Sequence, residues 1–416
     1  MRESMPAPEA VSEIEYLLTP RAIRDRCEAL YELGLQGKLE HFAVDEGRLG
    51  EVVDRVLTVT RATYPDLRRI PYHGRFRHFG VGGIDRLARL DAALSTSSRE
   101  QQLMARVELV ITSVLLDAGA GPGWSYTEAS GARFERSEGL AVASFDWFFA
   151  GGLSLDPAHP CRADAERLEQ VSERDLASAF QVRADNPLVG LEGRVRLLRE
   201  LGRTVRGPSA YFGSPPRLGG LGLHLVDQAR GSTGRDTDVP ELEASCILSA
   251  VLLGLGDIWP GRETFNGQNL GDVFTHPAVG RVPFHKLSQW LTYSLCEPLE
   301  AAGVRVRGLN ELTGLAEYRN GGLFLDAGVL VPKHPAVLGQ AHAVNSSVVV
   351  EWRALTVALL DRTAERLRED TGLSSSELPL ACVLEGGTWR AGRALASERR
   401  PGGAPPLRVI SDGTVF

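Results

Sequence analysis

Lysine is almost missing from this chain: of 46 basic residues, only Lys38, Lys286 and Lys333 are lysines. Arginine is the default cation, so each lysine is a departure, and Lys286 stands out because it lies in an apolar stretch. Cysteine is scarce too. The five cysteines (Cys27, Cys161, Cys246, Cys296 and Cys382) are widely spaced, odd in number and form no CxxC pair. That removes the sequence grounds for a zinc or redox centre and leaves ordinary packed thiols. No apolar run is long enough to span a bilayer, since Leu140–Phe149 and Ile247–Leu255 are interrupted or too short. The N-terminus, Met1-Arg-Glu-Ser-Met-Pro-Ala-Pro, has no continuous apolar segment of a secretory signal. A formal charge of -7 without any basic tract argues against a nucleic-acid backbone as partner. These absences lead to the expectation of a soluble cytoplasmic protein with no nucleic-acid or membrane partner.

Several catalytic signatures are missing as well. There is no Gly-x-Ser-x-Gly elbow to supply a triad nucleophile. Gly80-Val-Gly-Gly83 lacks GxGxxG spacing, and Gly386-Gly-Thr-Trp-Arg-Ala-Gly392 lacks the lysine of a P-loop. His73 and His78 are five residues apart, whereas two helical zinc ligands in HExxH are four apart. Their plainer readings are a hydrogen-bonded histidine pair or an anion-binding edge made with Arg75 and Arg77. No metal and no cofactor are therefore expected.

At 416 residues the chain can bury a large core. Helical patterns dominate it. Thr19 before Pro20 forms an N-cap with proline at N1, and Ile23, Cys27, Leu30 and Tyr31 then recur at helical spacing. A second helix opens near Ser97, and others are predicted around 48–62, 138–150, 172–182, 190–202, 240–256, 283–302 and 347–370. Strand signals are thinner: hairpins at Trp124–Phe134 and Gly322–Val331, and a terminal strand at Leu407–Ile410. Gly207–Gly222 and Gly231–Pro240 carry loop composition. The fold class is mainly α, a single large helical domain with short β-hairpins. Residues 1–40 form an N-terminal extension and helix packed on a main domain of residues 41–416.

Three charged motifs sit inside core-forming stretches: Pro283-Phe-His-Lys-Leu-Ser-Gln-Trp290, Leu315-Ala-Glu-Tyr-Arg-Asn-Gly-Gly-Leu-Phe-Leu-Asp326 and Val348-Val-Val-Glu-Trp-Arg-Ala-Leu355. Burying an ionised group costs several kcal/mol unless it is paired or coordinated, so a polar pocket is the economical reading. Lys286 and Gln289, one turn apart beside His285 at a helix start, could grip an anion with free backbone N–H groups. Glu317, Tyr318 and Arg319 precede an Asn-Gly-Gly turn that would hold a carboxylate toward a cavity. Glu351 and Arg353 open the long final helix. Plain alternatives are a solvated lysine with a capping glutamine, an internal Glu317–Arg319 ion pair, and a carboxylate placed at Glu351 for the helix dipole.

With these motifs in view, the chain resembles, from about Arg21 to Phe416, the Urc/Urg family of uracil catabolism. The resemblance runs through RSEGLAVAS (136–144), NPLVGLEGR (186–194), PFHKLSQWLTYSL (283–295), EYRNGGL (317–323), EWRALTVALLD (351–361), LEGGTWRAGR (384–393) and SDGTVF (411–416). It implies a ring-opening route from uracil through ribosylurea species towards urea, with other enzymes of that pathway as candidate partners. The chain is also similar to the queuosine-salvage family, which hydrolyses the N-glycosidic bond of a nucleoside 5′-phosphate. That family has a Lys-x-x-Gln helix, an Asp-Tyr-Arg loop and a Glu-x-Arg helix opening, matched in order by Lys286 with Gln289, Glu317-Tyr318-Arg319, and Glu351 with Arg353. Glu317 stands where that family has Asp.

This second resemblance implies a helical, DNA-glycosylase-like fold and a metal-independent N-ribosyl hydrolase that cleaves ribosylurea 5′-phosphate into urea and ribose 5-phosphate. The catalytic set would be Glu317, Arg319 and Glu351, with His285, Lys286, Gln289, Tyr318, Arg353 and Asp326 binding substrate or its phosphate. The alternatives are an amidohydrolase acting on the ureide carbonyl of the same intermediate and a non-catalytic ureide- or nucleotide-binding regulator. The tail Ser411–Phe416 is expected to fold into the domain.

Overall fold

A computed structural model describes residues 8–117, 119–232, 239–259 and 263–410, so the expectation for Ser411–Phe416 falls outside the described residues. The fold is mainly α. Its strands are two to four residues long and form only two-stranded ladders. Among the described residues no helix is long and apolar enough to cross a membrane. The chain divides into two compact units, each discontinuous in sequence. The described residues of one lie within Met1–His73, Gly261–Gln289 and Gly308–Ser411; those of the other lie within Gly74–Pro260 and Trp290–Arg307.

The first unit is built round the helix Ser347–Thr371, in which every residue from Val348 to Leu360 is buried. A helix buried on all faces must be enclosed by others, and Pro20–Leu35, Leu49–Thr63 and Tyr318–Asp326 pack against it. It stops at Gly372, whose φ of 68° gives the left-handed C-cap that glycine adopts without a Cβ penalty. The helix Pro20–Leu35 begins as the sequence predicts, with the Thr19 hydroxyl accepting from the Ala22 N–H at 3.1 Å and Pro20 at N1. It is fastened to the central helix by Arg24 on Asp361 (2.9 Å) and by the Arg362 fork on Glu28.

Gly322–Val331 differs from its predicted hairpin. Its first half lies in the helix Tyr318–Asp326, and only Leu330–Pro332 is strand, paired antiparallel with the distant Phe42–Val44. The glycines mark close approach rather than a turn. A Cβ on Gly321 would lie 2.6 Å from the Trp352 ring, and one on Gly322 3.1 Å from Pro406. The predicted terminal strand is present as Arg408–Ile410, parallel to Ala341–Ala343.

The second unit holds the helices Arg99–Leu115, Arg136–Phe149, Leu191–Arg206 and Ala244–Gly254. The predicted Trp124–Phe134 hairpin pairs Ser125–Thr127 with Arg133–Glu135. The helix expected to open at Ser97 is capped one residue later by Ser98, in a capping box with Gln101. At 240–256, Glu241–Glu243 forms a strand beside Arg305–Arg307 before the helix begins. The fork of Arg75 is taken up by Asp117 (2.7 Å) and Ser113 (2.7 Å), and Arg77 pairs with Glu297 (2.7 Å). These two guanidinium groups serve internal ion pairs, not the anion-binding edge that their spacing allowed.

Candidate functional site

All nine residues singled out from the sequence lie in the first unit, but they fall into separate groups. Arg353, fully buried on the central helix, makes a bidentate pair with Asp272 at 2.7 and 2.8 Å, and its guanidinium lies 4.0 Å over the Phe284 ring. The same Asp272 carboxylate accepts the Lys286 backbone N–H at 2.9 Å and so caps the helix Lys286–Ala301 from a distance. Asp272 carries no motif of its own. Its one sequence signal is a lone carboxylate between Gly271 and the apolar Val273-Phe274.

Glu351, two residues before Arg353 and so on the other side of the same helix, points elsewhere. Its two oxygens accept the backbone N–H groups of Glu40 (3.2 Å) and His41 (3.1 Å), and His276 Nε2 lies 3.4 Å away. It tethers the entry to the strand Phe42–Val44. Asp326 binds the Arg400 fork at 2.7 and 2.5 Å. Arg319 donates to the Gly403 carbonyl at 2.7 Å and stacks over Tyr318, while its Nε is buried without a protein partner.

At the predicted anion-binding helix start, His285 and Gln289 are committed to contacts within the fold. His285 turns the chain with φ 46° and is buried, its Nε2 2.9 Å from the Leu17 carbonyl, to which it donates. Burial pushes its imidazole below the usual range, partly offset by that carbonyl and by Asp272, so it has no cation to offer. Gln289 is fully buried as a strut. It donates to Phe284 O (3.1 Å) and Thr313 Oγ1 (2.7 Å) and accepts from the Thr313 N–H (2.8 Å). Lys286 is partly exposed.

Glu317 is the N-cap of the helix Tyr318–Asp326, not a residue in a loop before a turn. One oxygen accepts the Arg319 N–H at 2.7 Å and the other the Asn320 N–H at 2.5 Å, so the pair predicted with the Arg319 guanidinium is made with its backbone instead. Burial raises the carboxyl above its usual range. The two amides oppose that rise, and then Lys286 and His73, whose charges reach it.

The spacing of His73 allows a histidine pair or a place on an anion-binding edge. Its Nδ1 lies 2.9 Å from Glu385 instead. The other Glu385 oxygen accepts from Tyr64 Oη (3.0 Å) and Arg390 Nη2 (3.2 Å). Glu385 sits in a π-helical turn, Leu384–Thr388, a local widening often found at functional sites. Gly386 and Gly387 let that turn press on the helix Leu49–Thr63, since a Cβ on Gly387 would lie 2.4 Å from Thr60 Oγ1. Lys286, Glu317 and His73 with Glu385 thus bring four distant parts of the chain to one electrostatic cluster.

Residues 16–416 match the family described as "Protein of unknown function (DUF1688)". The chain belongs to that family. It is 38% identical over 411 residues to "Protein urg3" of Schizosaccharomyces pombe, covering 96% of this chain and 98% of the relative. It is 34% identical over 440 residues to "Uracil catabolism protein 4" of Lachancea kluyveri, covering 97% and 99%. The Urc/Urg resemblance read from the motifs is therefore membership of this family, and the match includes every residue of the cluster.

Proposed function

We propose that this protein is a hydrolase of uracil catabolism that cleaves the N-glycosidic bond of ribosylurea 5′-phosphate, releasing urea and ribose 5-phosphate. One observation carries the reading: Glu317 is a buried carboxylate, fixed by two backbone amides and electrostatically coupled to Lys286 and His73. Cleavage at an anomeric carbon passes through an oxocarbenium-like state. A preorganised buried anion gains most when positive charge develops beside it, because little solvent screens the attraction. Lys286 would hold the phosphate. The name of the Lachancea kluyveri relative, "Uracil catabolism protein 4", supports the choice of pathway, and the likeness to queuosine-salvage hydrolases the choice of bond.

Incubation with ribosylurea and its 5′-phosphate, with separate assays for urea and ammonia, tests the reading. Urea with an equivalent of ribose 5-phosphate is expected. Ammonia or carbamate would instead establish an amidohydrolase acting on the ureide carbonyl, and tight binding with no product would establish a regulator. Among the described residues, no group of three or more His, Cys, Asp or Glu side chains is placed to hold a metal ion. Turnover should accordingly survive exhaustive chelation. Activity lost in EDTA and restored by zinc or manganese would overturn the metal-free mechanism.

Lys286→Ala probes the phosphate. Losing a charge-assisted hydrogen bond of roughly 1.5–3 kcal/mol lowers kcat/KM on the phosphorylated substrate about 10- to 150-fold. Activity on unphosphorylated ribosylurea should barely change. Equal losses on both substrates would show that Lys286 acts through Glu317 and not through a phosphate.

A further inference from the structure

We infer that Asn320 and Thr388 hold the water that attacks the anomeric carbon, with one of its protons directed at Glu317; this rests on the N-ribosyl hydrolase reading above. Among the described residues, the buried side-chain oxygens that meet no hydrogen-bond partner are Asn320 Oδ1 and Thr388 Oγ1. Asn320 is 1% exposed and Thr388 fully buried, so bulk solvent serves neither oxygen. A buried polar atom left unpaired is costly, and folded proteins rarely keep one without a use.

Both oxygens fall beside the same carboxylate. Glu317 Oε1 accepts the Asn320 backbone N–H at 2.5 Å, and covalent geometry then keeps Asn320 Oδ1 within about 7 Å of it. The amide is fixed in its sense, because Nδ2 donates to the Leu315 carbonyl at 3.1 Å and a flip would set oxygen against oxygen. Thr388 comes from a distant part of the chain. It ends the π-helical turn Leu384–Thr388, which packs on the helix Tyr318–Asp326 and leads straight into the helix Trp389–Arg399. Those two helices run in the same direction: a Cβ on Gly392 would lie 2.2 Å from the Arg319 carbonyl, while Arg400, past the end of one, grips Asp326 at the end of the other. Thr388 is one turn before Gly392 and on the same face, so it stands level with the Glu317 cap.

The polarity of these groups suits one water. The amide oxygen and the carboxylate only accept, whereas the threonine hydroxyl can donate. A water that accepts from Thr388 and donates to Asn320 and Glu317 has the roughly three partners that hold a buried water, and its second lone pair is left for C1′. Attack then balances. The water oxygen bonds to C1′, the C1′–N bond breaks with its electron pair going to nitrogen, and the nitrogen takes a proton from solvent and leaves as urea. One proton of the water passes to Glu317, and its loss to solvent restores the carboxylate.

The full chain acting on ribosylurea 5′-phosphate tests this. Thr388→Val keeps the shape and removes the hydroxyl, so kcat should fall roughly 10- to 100-fold, the cost of misplacing a reacting atom, with KM within about twofold. Thr388→Ser returns the hydroxyl and should bring kcat back to within about threefold of the parent. Asn320→Ala makes room beside the water; in dilute methanol it should form methyl riboside 5-phosphate next to ribose 5-phosphate, whereas the parent forms ribose 5-phosphate alone. That product ratio needs only residual turnover and serves if Thr388→Val folds poorly. Variants that melt lower but keep the parent's kcat and admit no methanol would make the water a structural one and overturn the assignment, with the hydrolase reading intact. If the parent releases neither urea nor ribose 5-phosphate, the hydrolase reading falls, and the assignment with it.

Discussion

Glu317→Gln should lower kcat on ribosylurea 5′-phosphate by roughly 10²- to 10⁴-fold, the range of a positioned catalytic group, with little change in melting temperature at neutral pH. The charge is what the reaction uses, whereas the fold uses the oxygens. Glu317 caps its helix through two oxygens on the Arg319 and Asn320 amides, and a Gln side chain keeps one acceptor oxygen for them. Losing the other costs about 1 kcal/mol, but burying a neutral amide also removes the desolvation penalty of the ion, and the two offset each other. A variant with near-normal kcat would make Glu317 a structural cap and nothing more.

The pH dependence of this pair has a definite sign. Because burial holds the Glu317 carboxyl above its usual range in the folded chain, the unfolded chain loses that proton first as pH rises. The stability that Glu317 contributes is therefore fully present below the ordinary glutamate range, near 4.3, and is lost as pH climbs through the raised folded value. Glu317→Gln has no such group. Its melting temperature relative to the parent should rise between acidic and neutral pH, and a difference that falls over that interval would contradict the buried carboxylate.

Much of the helical framework was legible because its signals are local. Thr19-Pro20 caps a helix by its own chemistry, and the apolar run after Ser346 needs no partner to read as a buried helix. Gly321-Gly322 misled because a glycine pair marks either a turn or a close approach, and only the Trp352 ring, thirty-one positions away in sequence, decides between them. The site divides in the same manner. Glu317, Lys286 and Arg353 were findable as charges in apolar stretches, and so was Glu385, a lone carboxylate after Leu380-Ala-Cys-Val-Leu384. What no window could reveal was the pairing of Glu385 with His73, or of Asp272 with Arg353, since 312 and 81 positions separate the partners. Gln289 and His285 illustrate the converse. Their spacing suited an anion site, but Thr313 and the Leu17 carbonyl claim them first.

Arg353→Met should be the most destabilising of the site substitutions, by about 3–5 kcal/mol, because it leaves the Asp272 carboxylate without its bidentate partner in a largely buried setting. Volume is nearly kept, so the loss reports the stranded charge more than a cavity. Pairing it with Asp272→Asn should recover a large part of the loss, since the remaining amide needs no counter-ion and its oxygen can still accept the Lys286 N–H. Denaturant midpoints of the two single variants and the double variant close the cycle. Additive losses would mean that the two residues stabilise the unit independently. A strong positive coupling would show that Arg353 serves chiefly to neutralise Asp272, which in turn fixes the first turn of the helix that carries Lys286.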